Sequence, residues 1–200
     1  MDLKINMSYP DHIRAFIAVS LPEPVKFFLQ NLQGELKKAS VKASWPNPDA
    51  LHLTLKFLGN VNIDKIDTIK ACMKKAVKGI STHTLSSSGI GVFPSVKNAR
   101  VIWSGIRGQT DLLEKIVIRL ETFLFEDMGI KKENKRFSPH LTVARVKSPV
   151  SPKKMIRLLQ EFKEFSSEDF WVSDIQLFQS ELTSSGAIYK LIFSAPFDKI

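Results

Sequence analysis

Residues 51–57, Leu51-His-Leu-Thr-Leu-Lys-Phe57, alternate cleanly between apolar and polar side chains. A period of two is typical of a β-strand that buries one face and leaves the other in contact with water or a cleft. We therefore predict that the leucines and Phe57 point into the core. His52, Thr54 and Lys56 then share the opposite, polar face.

The same pattern returns 88 positions later (from 52 to 140) as Pro139-His-Leu-Thr-Val-Ala-Arg145. His140 and Thr142 share the polar face of this second strand. Strict alternation puts Arg145 on the Val143 face instead, so that its side chain reaches the polar face only if the strand bends or ends there.

A strand–helix–strand–helix–strand order is predicted around each copy, over about residues 13–93 and 100–194. A repeat of this length is too long for a solenoid, and it indicates a duplication with two similar lobes around a pseudo-twofold axis. We therefore expect one bilobal domain of mixed α and β structure over residues 1–200. If the lobes are related in this way, the polar faces of the two strands meet across a cleft, where His52 and Thr54 face His140 and Thr142.

The composition narrows the class of protein. The 200 residues carry 29 Lys and Arg against 20 Asp and Glu, a net charge of +9, which suggests either an anionic partner such as nucleic acid or a basic surface that serves only solubility. Cys72 is the single cysteine, which excludes an internal disulfide and a thiolate zinc cluster.

Met1–His12 lacks the apolar core of a signal peptide, and no apolar run approaches the ~18 residues of a membrane span. We expect a cytoplasmic protein with no membrane partner.

Two histidines and two threonines suit displacement at phosphorus. One imidazole can take a proton from the attacking oxygen while the other gives a proton to the leaving oxygen, and hydroxyls can donate hydrogen bonds to the non-bridging oxygens. The residues alone do not say which histidine is the acid. A zinc site on His52 and His140 is the alternative, but no third ligand lies at a useful spacing. We therefore predict no metal and no cofactor.

Cations and aromatic residues near the two motifs are candidates for substrate binding. Lys56 and Arg145 flank the motifs, and Arg14 and Arg100 occupy matching places in the two halves. Each could instead be a solvated charge. Aromatic side chains could stack on a base; we favour a core position for Trp103 and leave Phe16 open between stacking and core.

At this point the chain resembles the two-histidine phosphoesterase superfamily, specifically the LigT-like RNA 2′,3′-cyclic phosphodiesterases, also called 2′-5′ RNA ligases. The resemblance covers about residues 13–195. It rests on the two motif strands, on Arg14-Ala-Phe-Ile-Ala, on Gly91-Val-Phe-Pro94, on Arg100-Val-Ile-Trp103, and on Ser180-Glu-Leu182 with Gly186 and Tyr189.

The resemblance implies a fold, a reaction and roles for residues. The fold is α+β, with two antiparallel sheets that face a central cleft and helices on the outer faces. The reaction is hydrolysis of an RNA 2′,3′-cyclic phosphate to a 2′-phosphomonoester, with 2′-5′ ligation as its reverse. By family analogy His52 is the proton donor and His140 the proton acceptor, while Thr54 and Thr142 hold the phosphate.

Two alternatives remain open. The same chemistry could act on 2′-5′ oligonucleotides or small cyclic nucleotides, or the protein could hold RNA ends without turnover. In each case the expected partner is RNA with a 2′,3′-cyclic phosphate end or a related nucleotide. We expect a monomer. Arg145, Lys56, Phe16 and Arg14 are the residues that we expect to bind substrate beside the four motif residues.

Overall fold

Nine strands and four α-helices form the described part of the chain, residues 11–183 and 186–198 of a computed structural model. In chain order they are β1 His12–Ser20, α1 Glu23–Lys38, β2 Ala43–Ser44, β3 His52–Asn62, α2 Ile66–Val77, β4 His83–Phe93, β5 Val101–Gly108, α3 Thr110–Met128, β6 His140–Val146, α4 Pro152–Glu161, β7 Phe170–Val172, β8 Asp174–Thr183 and β9 Gly186–Pro196. The predicted α+β class is confirmed, and both motifs open a strand.

The strands form two antiparallel sheets, in the orders β3-β1-β8-β9 and β2-β6-β5-β4-β7. In each sheet, the motif strand and the central strand beside it come from one repeat. The strand on the other side of that central strand comes from the other repeat. β8 of the second repeat pairs with β1, while β4 of the first repeat pairs with β5. The expectation that each repeat forms its own lobe is wrong, because β4 of the first repeat joins the sheet of the second motif, while β8 and β9 of the second repeat join the sheet of the first.

The helices cross between the sheets in the same way. α1 follows β1 in sequence but packs on the other sheet, where Gln33 Nε2 donates a hydrogen bond to the Val143 carbonyl of β6 over 3.1 Å. α3 follows β5 but packs against α2 and β3. Apolar residues on one face of each helix fill the space beneath the sheets, among them Leu29 of α1 and Ile116 of α3, which are fully buried. The two lobes are interwoven and share one continuous core.

A β-bulge interrupts each motif strand one residue after the threonine. In β3, Leu55 is the extra residue between the pairs Ala18–Thr54 and Ile17–Lys56. In β6, Val143 occupies the matching place between the pairs Trp103–Thr142 and Ile102–Ala144. A bulge sets two residues against one on the partner strand and so shifts the alternation by one.

The shifted alternation reverses the predicted faces beyond each bulge. Lys56 is buried, at 3% exposure, and Phe57 is 59% exposed, so that the predicted orientation of both was wrong. In β6 the same shift buries Ala144 and exposes Arg145. The bulge therefore allows Arg145 to reach the polar face, which strict alternation would not allow.

No helix within the described ranges is long and apolar enough to cross a membrane.

Candidate active site

A cavity of about 1140 Å³, open to solvent, lies between the two sheets. Its wall includes His52 and Thr54 from β3 and His140 and Thr142 from β6. Each of these four side chains is partly exposed, whereas Leu53 and Leu141 between them are fully buried on the opposite face. The structure thus brings together the four motif residues that the duplicated pattern indicated.

Both motif histidines are held by the same local contact. His52 Nδ1 lies 2.8 Å from the Ala50 carbonyl oxygen, and His140 Nδ1 lies 2.8 Å from the Ser138 carbonyl oxygen. A carbonyl can only accept, so each Nδ1 must carry the hydrogen. Nε2 is then the atom that accepts a proton in the neutral ring and donates one in the charged ring.

The hydroxyls of Thr54 and Thr142 have no hydrogen-bond partner among the residues that the structure describes. Both hydroxyls lie at the cavity wall on the same strand face as the neighbouring histidine. They are therefore available to donate hydrogen bonds to a bound anion.

Aromatic rings surround His52. Its ring centroid lies 4.6 Å from that of Phe16 and 5.1 Å from that of Tyr189, which meets it edge-on. This burial lowers the pKa of His52 below its ordinary value of 6.5, against the weaker effect of the Ala50 carbonyl, which raises it. The environment therefore favours the neutral imidazole while the cavity holds no anion.

Phe16 lies differently from the stacking position left open for it. It is 3% exposed and packs against His52, Phe57, Phe178 and Tyr189. A ring with both faces covered has no free face for a base, so that Phe16 supports the His52 ring instead.

Two other aromatic residues flank His140. Phe93 meets the His140 ring edge-on at 5.0 Å, and the Trp103 ring lies 6.2 Å away. Trp103 is half-buried rather than a full core residue. It lies directly over Gly91, where any Cβ would overlap its indole ring. A glycine at position 91 is thus what allows Trp103 to reach His140.

The four predicted cations lie in three different environments. Arg14 and Arg145 line the cavity, and Arg100 is exposed outside it. Lys56 also borders the cavity, but its Nζ lies 2.8 Å from Glu121 Oε1 and donates a hydrogen bond to the Lys131 carbonyl over 2.9 Å. The predicted role of Lys56 in substrate binding is not supported, because the ammonium is already paired and buried.

Sequence reasoning missed several parts of the wall. Phe57, Ile118, Tyr189 and the loop before β6 all line the cavity. Ile118 could have been found from the 114, 118, 122 spacing, which puts one row of α3 on the same side. Phe57 could not, because its exposure depends on the bulge. Within the described residues, no three His, Cys, Asp or Glu side chains are grouped closely enough to hold a metal ion.

The fold and site together define a class of protein in which two matching His-x-Thr strands from repeated halves face one cavity. The chain matches the family described as LigT like phosphoesterase over residues 19–103 and 108–189, and it belongs to that family. A Methanothermobacter thermautotrophicus protein named RNA 2′,3′-cyclic phosphodiesterase is 34% identical over 180 residues. The match covers 88% of this chain and 95% of the Methanothermobacter protein. A Thermotoga maritima protein of the same name is 32% identical over 186 residues, covering 93% and 96%.

Solved structures share the fold. A Thermus thermophilus crystal structure superimposes with a TM-score of 0.77 at 24% identity and covers 92% of this chain and 98% of its own. The crystal structure of E. coli LigT in its apo form gives a TM-score of 0.72 at 20% identity, with 94% and 99% covered.

Proposed function

We propose that this protein hydrolyses the 2′,3′-cyclic phosphate end of RNA to a 2′-phosphomonoester. The observation that carries the proposal is the pair of histidines on one cavity, each with Nδ1 on a backbone carbonyl and Nε2 left for proton transfer. The names of the Methanothermobacter and Thermotoga relatives support this substrate. Both motif histidines come from the two repeats of one chain, so the proposed chemistry needs no second copy, and we propose that the protein acts as a monomer.

The proposed reaction is an in-line displacement with two proton transfers. His140 Nε2 accepts a proton from water as the water oxygen forms a bond to phosphorus. The bond between phosphorus and O3′ breaks, and protonated His52 gives its Nε2 proton to O3′. This assignment of base and acid follows the family resemblance. Hydroxyls of Thr54 and Thr142 donate hydrogen bonds to the non-bridging oxygens, where negative charge accumulates. The same displacement with a 5′-hydroxyl in place of water also breaks the bond between phosphorus and O3′, and it forms a 2′-5′ link.

The lowered pKa of His52 has two opposing consequences for the proposed role as acid. A lower pKa makes the imidazolium a stronger proton donor. It also means that the His52 ring is more often unprotonated when no substrate is bound. The phosphate anion of the substrate favours the charged ring when it binds nearby. Substrate binding and proton loading are therefore coupled, and the donor is charged when a leaving oxygen is present.

The test is hydrolysis of a nucleoside 2′,3′-cyclic phosphate by single variants. We expect His52→Ala and His140→Ala to lower kcat by 10²- to 10⁴-fold, the usual contribution of a positioned acid or base. Thr54→Val and Thr142→Val should lower kcat by about 10²-fold or more, as loss of an oxyanion donor does. His12→Ala, at the exposed start of β1, is the matched control and should retain activity.

Product analysis by phosphorus NMR completes the test. A 2′-phosphate with full activity in EDTA is expected. Release of a 3′-phosphate, or wild-type rates in either His variant, contradicts the proposed mechanism. A substrate panel with 2′-5′ oligonucleotides separates that alternative, and tight RNA binding without product after long incubation would indicate a binding module.

A further inference from the structure

We propose that the loop before β6 binds the phosphate backbone of the RNA strand that leads to the reacting end. This inference rests on the proposed function. The loop, called here the basic loop, is Lys131–Arg136, with the sequence Lys-Lys-Glu-Asn-Lys-Arg. All six residues are exposed. Lys132, Lys135 and Arg136 line the same cavity as the two motif histidines.

The cavity lies at the upper end of the size range of small-molecule sites. Its volume of about 1140 Å³ compares with the roughly 300–1,000 Å³ of ordinary small-molecule pockets. A second cavity of about 330 Å³ continues from it and shares the lining residues Glu114, Arg136, Phe137 and Ser138. The extended chain limits Arg136 to about 14 Å and Lys132 to about 29 Å from His140. The basic loop therefore lies no farther than these distances from the His140 end of the cavity, a separation that a few nucleotides can span.

Exposed apolar side chains line the cavity together with these cations. Phe57 of β3 is 59% exposed and Ile118 of α3 is 60% exposed, although both are large hydrophobic residues. Cations that follow a backbone, combined with apolar or aromatic surfaces for bases, are typical of sites for single-stranded nucleic acid. A small cyclic nucleotide would need neither feature beyond its own phosphate and base.

Buried side chains fix the backbone of the first half of the basic loop. Lys56 donates to the Lys131 carbonyl over 2.9 Å, and the Glu133 amide donates to Glu121 Oε2 over 3.1 Å. Lys56 and Glu121 form a buried ion pair between β3 and α3. Lys56 is therefore a positioning residue for the basic loop, which explains why a cation next to the first motif does not itself face the substrate.

The acidic groups near the basic loop are already engaged. Glu133 Oε1 lies 3.8 Å from Lys56 Nζ, and Glu114 Oε1 lies 3.3 Å from Arg136 Nε. No ion pair within the described residues involves Lys132 or Lys135. Lys132 Nζ lies over the exposed Phe125 ring, 5.6 Å from its centroid, and this contact leaves its charge unpaired. These two lysines are the clearest candidates for direct phosphate contacts.

The experiment compares a long and a short substrate on one double variant, Lys132→Ala with Lys135→Ala. For a 12-nucleotide RNA that ends in a 2′,3′-cyclic phosphate, kcat/KM should fall by about tenfold or more at 0.1 M salt, as loss of two phosphate contacts implies. For a mononucleoside 2′,3′-cyclic phosphate it should fall less than about threefold, because that substrate lacks the upstream phosphates. Lys97→Ala with Lys153→Ala, two exposed lysines outside the cavity, is the matched control and should change neither value. Equal losses on both substrates, or no loss on the RNA, overturn the inference.

A binding measurement separates this inference from the proposed reaction. A fluorescent 12-nucleotide RNA with a 2′-phosphate end needs no turnover to bind. For the double variant, the slope of log K against log salt should become shallower by about 1.4, or 0.7 for each lost contact with a single strand. An unchanged slope overturns the role of the basic loop. Absence of hydrolysis by the wild type, with a changed slope, would instead overturn the proposed function alone.

Discussion

β3 and β6 begin alike and end differently. Each opens with a histidine whose Nδ1 lies on a backbone carbonyl, continues with a threonine at the cavity wall, and bulges at the next residue. Beyond the bulge, β3 buries Lys56 and exposes Phe57, whereas β6 buries Ala144 and exposes Arg145.

The shared first halves of the two strands supply the paired groups that the proposed reaction needs twice. The different second halves supply groups that the substrate needs only once. In the proposed reaction, the proton donor and the proton acceptor are similar groups on opposite sides of phosphorus, so one duplicated motif can supply both. The substrate has no such symmetry. One wall after the bulge offers an aromatic face, and the other offers a cation. Lys56 is buried in an ion pair with Glu121, and Arg145 is exposed at the cavity wall.

The largest effect that tests this contrast is on stability. Lys56→Met leaves Glu121 buried without its partner, and we expect the free energy of unfolding to fall by about 3–5 kcal/mol in urea titrations. Lys56→Met combined with Glu121→Leu removes both charges and should recover at least half of the loss. If the single variant is as stable as the wild type, Lys56 is not the structural cation described here.

The complementary change is Arg145→Met. We expect kcat/KM for the cyclic phosphate to fall about 10- to 100-fold, since a hydrogen bond to a charged group contributes about 1.5–3 kcal/mol. The free energy of unfolding should change by no more than about 0.5 kcal/mol, because the side chain is exposed. Arg100→Met, outside the cavity, is the matched control and should retain activity. Equal activities of the two variants would remove Arg145 from the site.

The support of His140 can be disturbed through Gly91. Gly91→Ala places a methyl group where the Trp103 ring lies, and the free energy of unfolding should fall by about 1–3 kcal/mol, with reduced turnover as the ring shifts toward His140. Gly34→Ala in α1 is the control, since no atom lies within 4 Å of its added Cβ. That variant should gain about 0.5–1 kcal/mol of stability. Gly91→Ala with wild-type stability and turnover would contradict the packing described for Trp103.

The smallest effect concerns the proton of His52. Because its folded pKa lies below 6.5, its contribution to stability is present above pH 6.5 and is lost as the pH falls through the folded pKa. The wild type should therefore lose stability relative to His52→Gln as the pH is lowered from 7.5. Proton NMR should show the His52 ring titrating below 6.5, and at a higher pH when inorganic phosphate is added. A titration above 6.5 without phosphate would contradict the burial argument.

Periodicity and repetition were enough to predict the class of fold and the grouping of four site residues. Alternation identified the motif strands, and the repeat indicated that two of them face each other. A bulge is different, because the extra residue at Leu55 or Val143 leaves no mark on its own strand and depends on pairing with β1 or β5. The orientation of Lys56 and Phe57 was wrong for this reason. The exchange of β4 and β8 is equally invisible, because both sheets would accept either strand by local pattern alone.

That exchange has a consequence for how the chain folds. Phe16 in the middle of β1 pairs with Phe178 of β8, 162 positions later in the sequence (from 16 to 178). Contacts of such long range form late, since a large loop must close before the pairing is rewarded. During synthesis, β1 and β3 can pair long before β8 exists, and the hydrogen-bonding edge of β1 stays open until then. His52 therefore lies on an unfinished sheet until β8 has been made and has paired with β1.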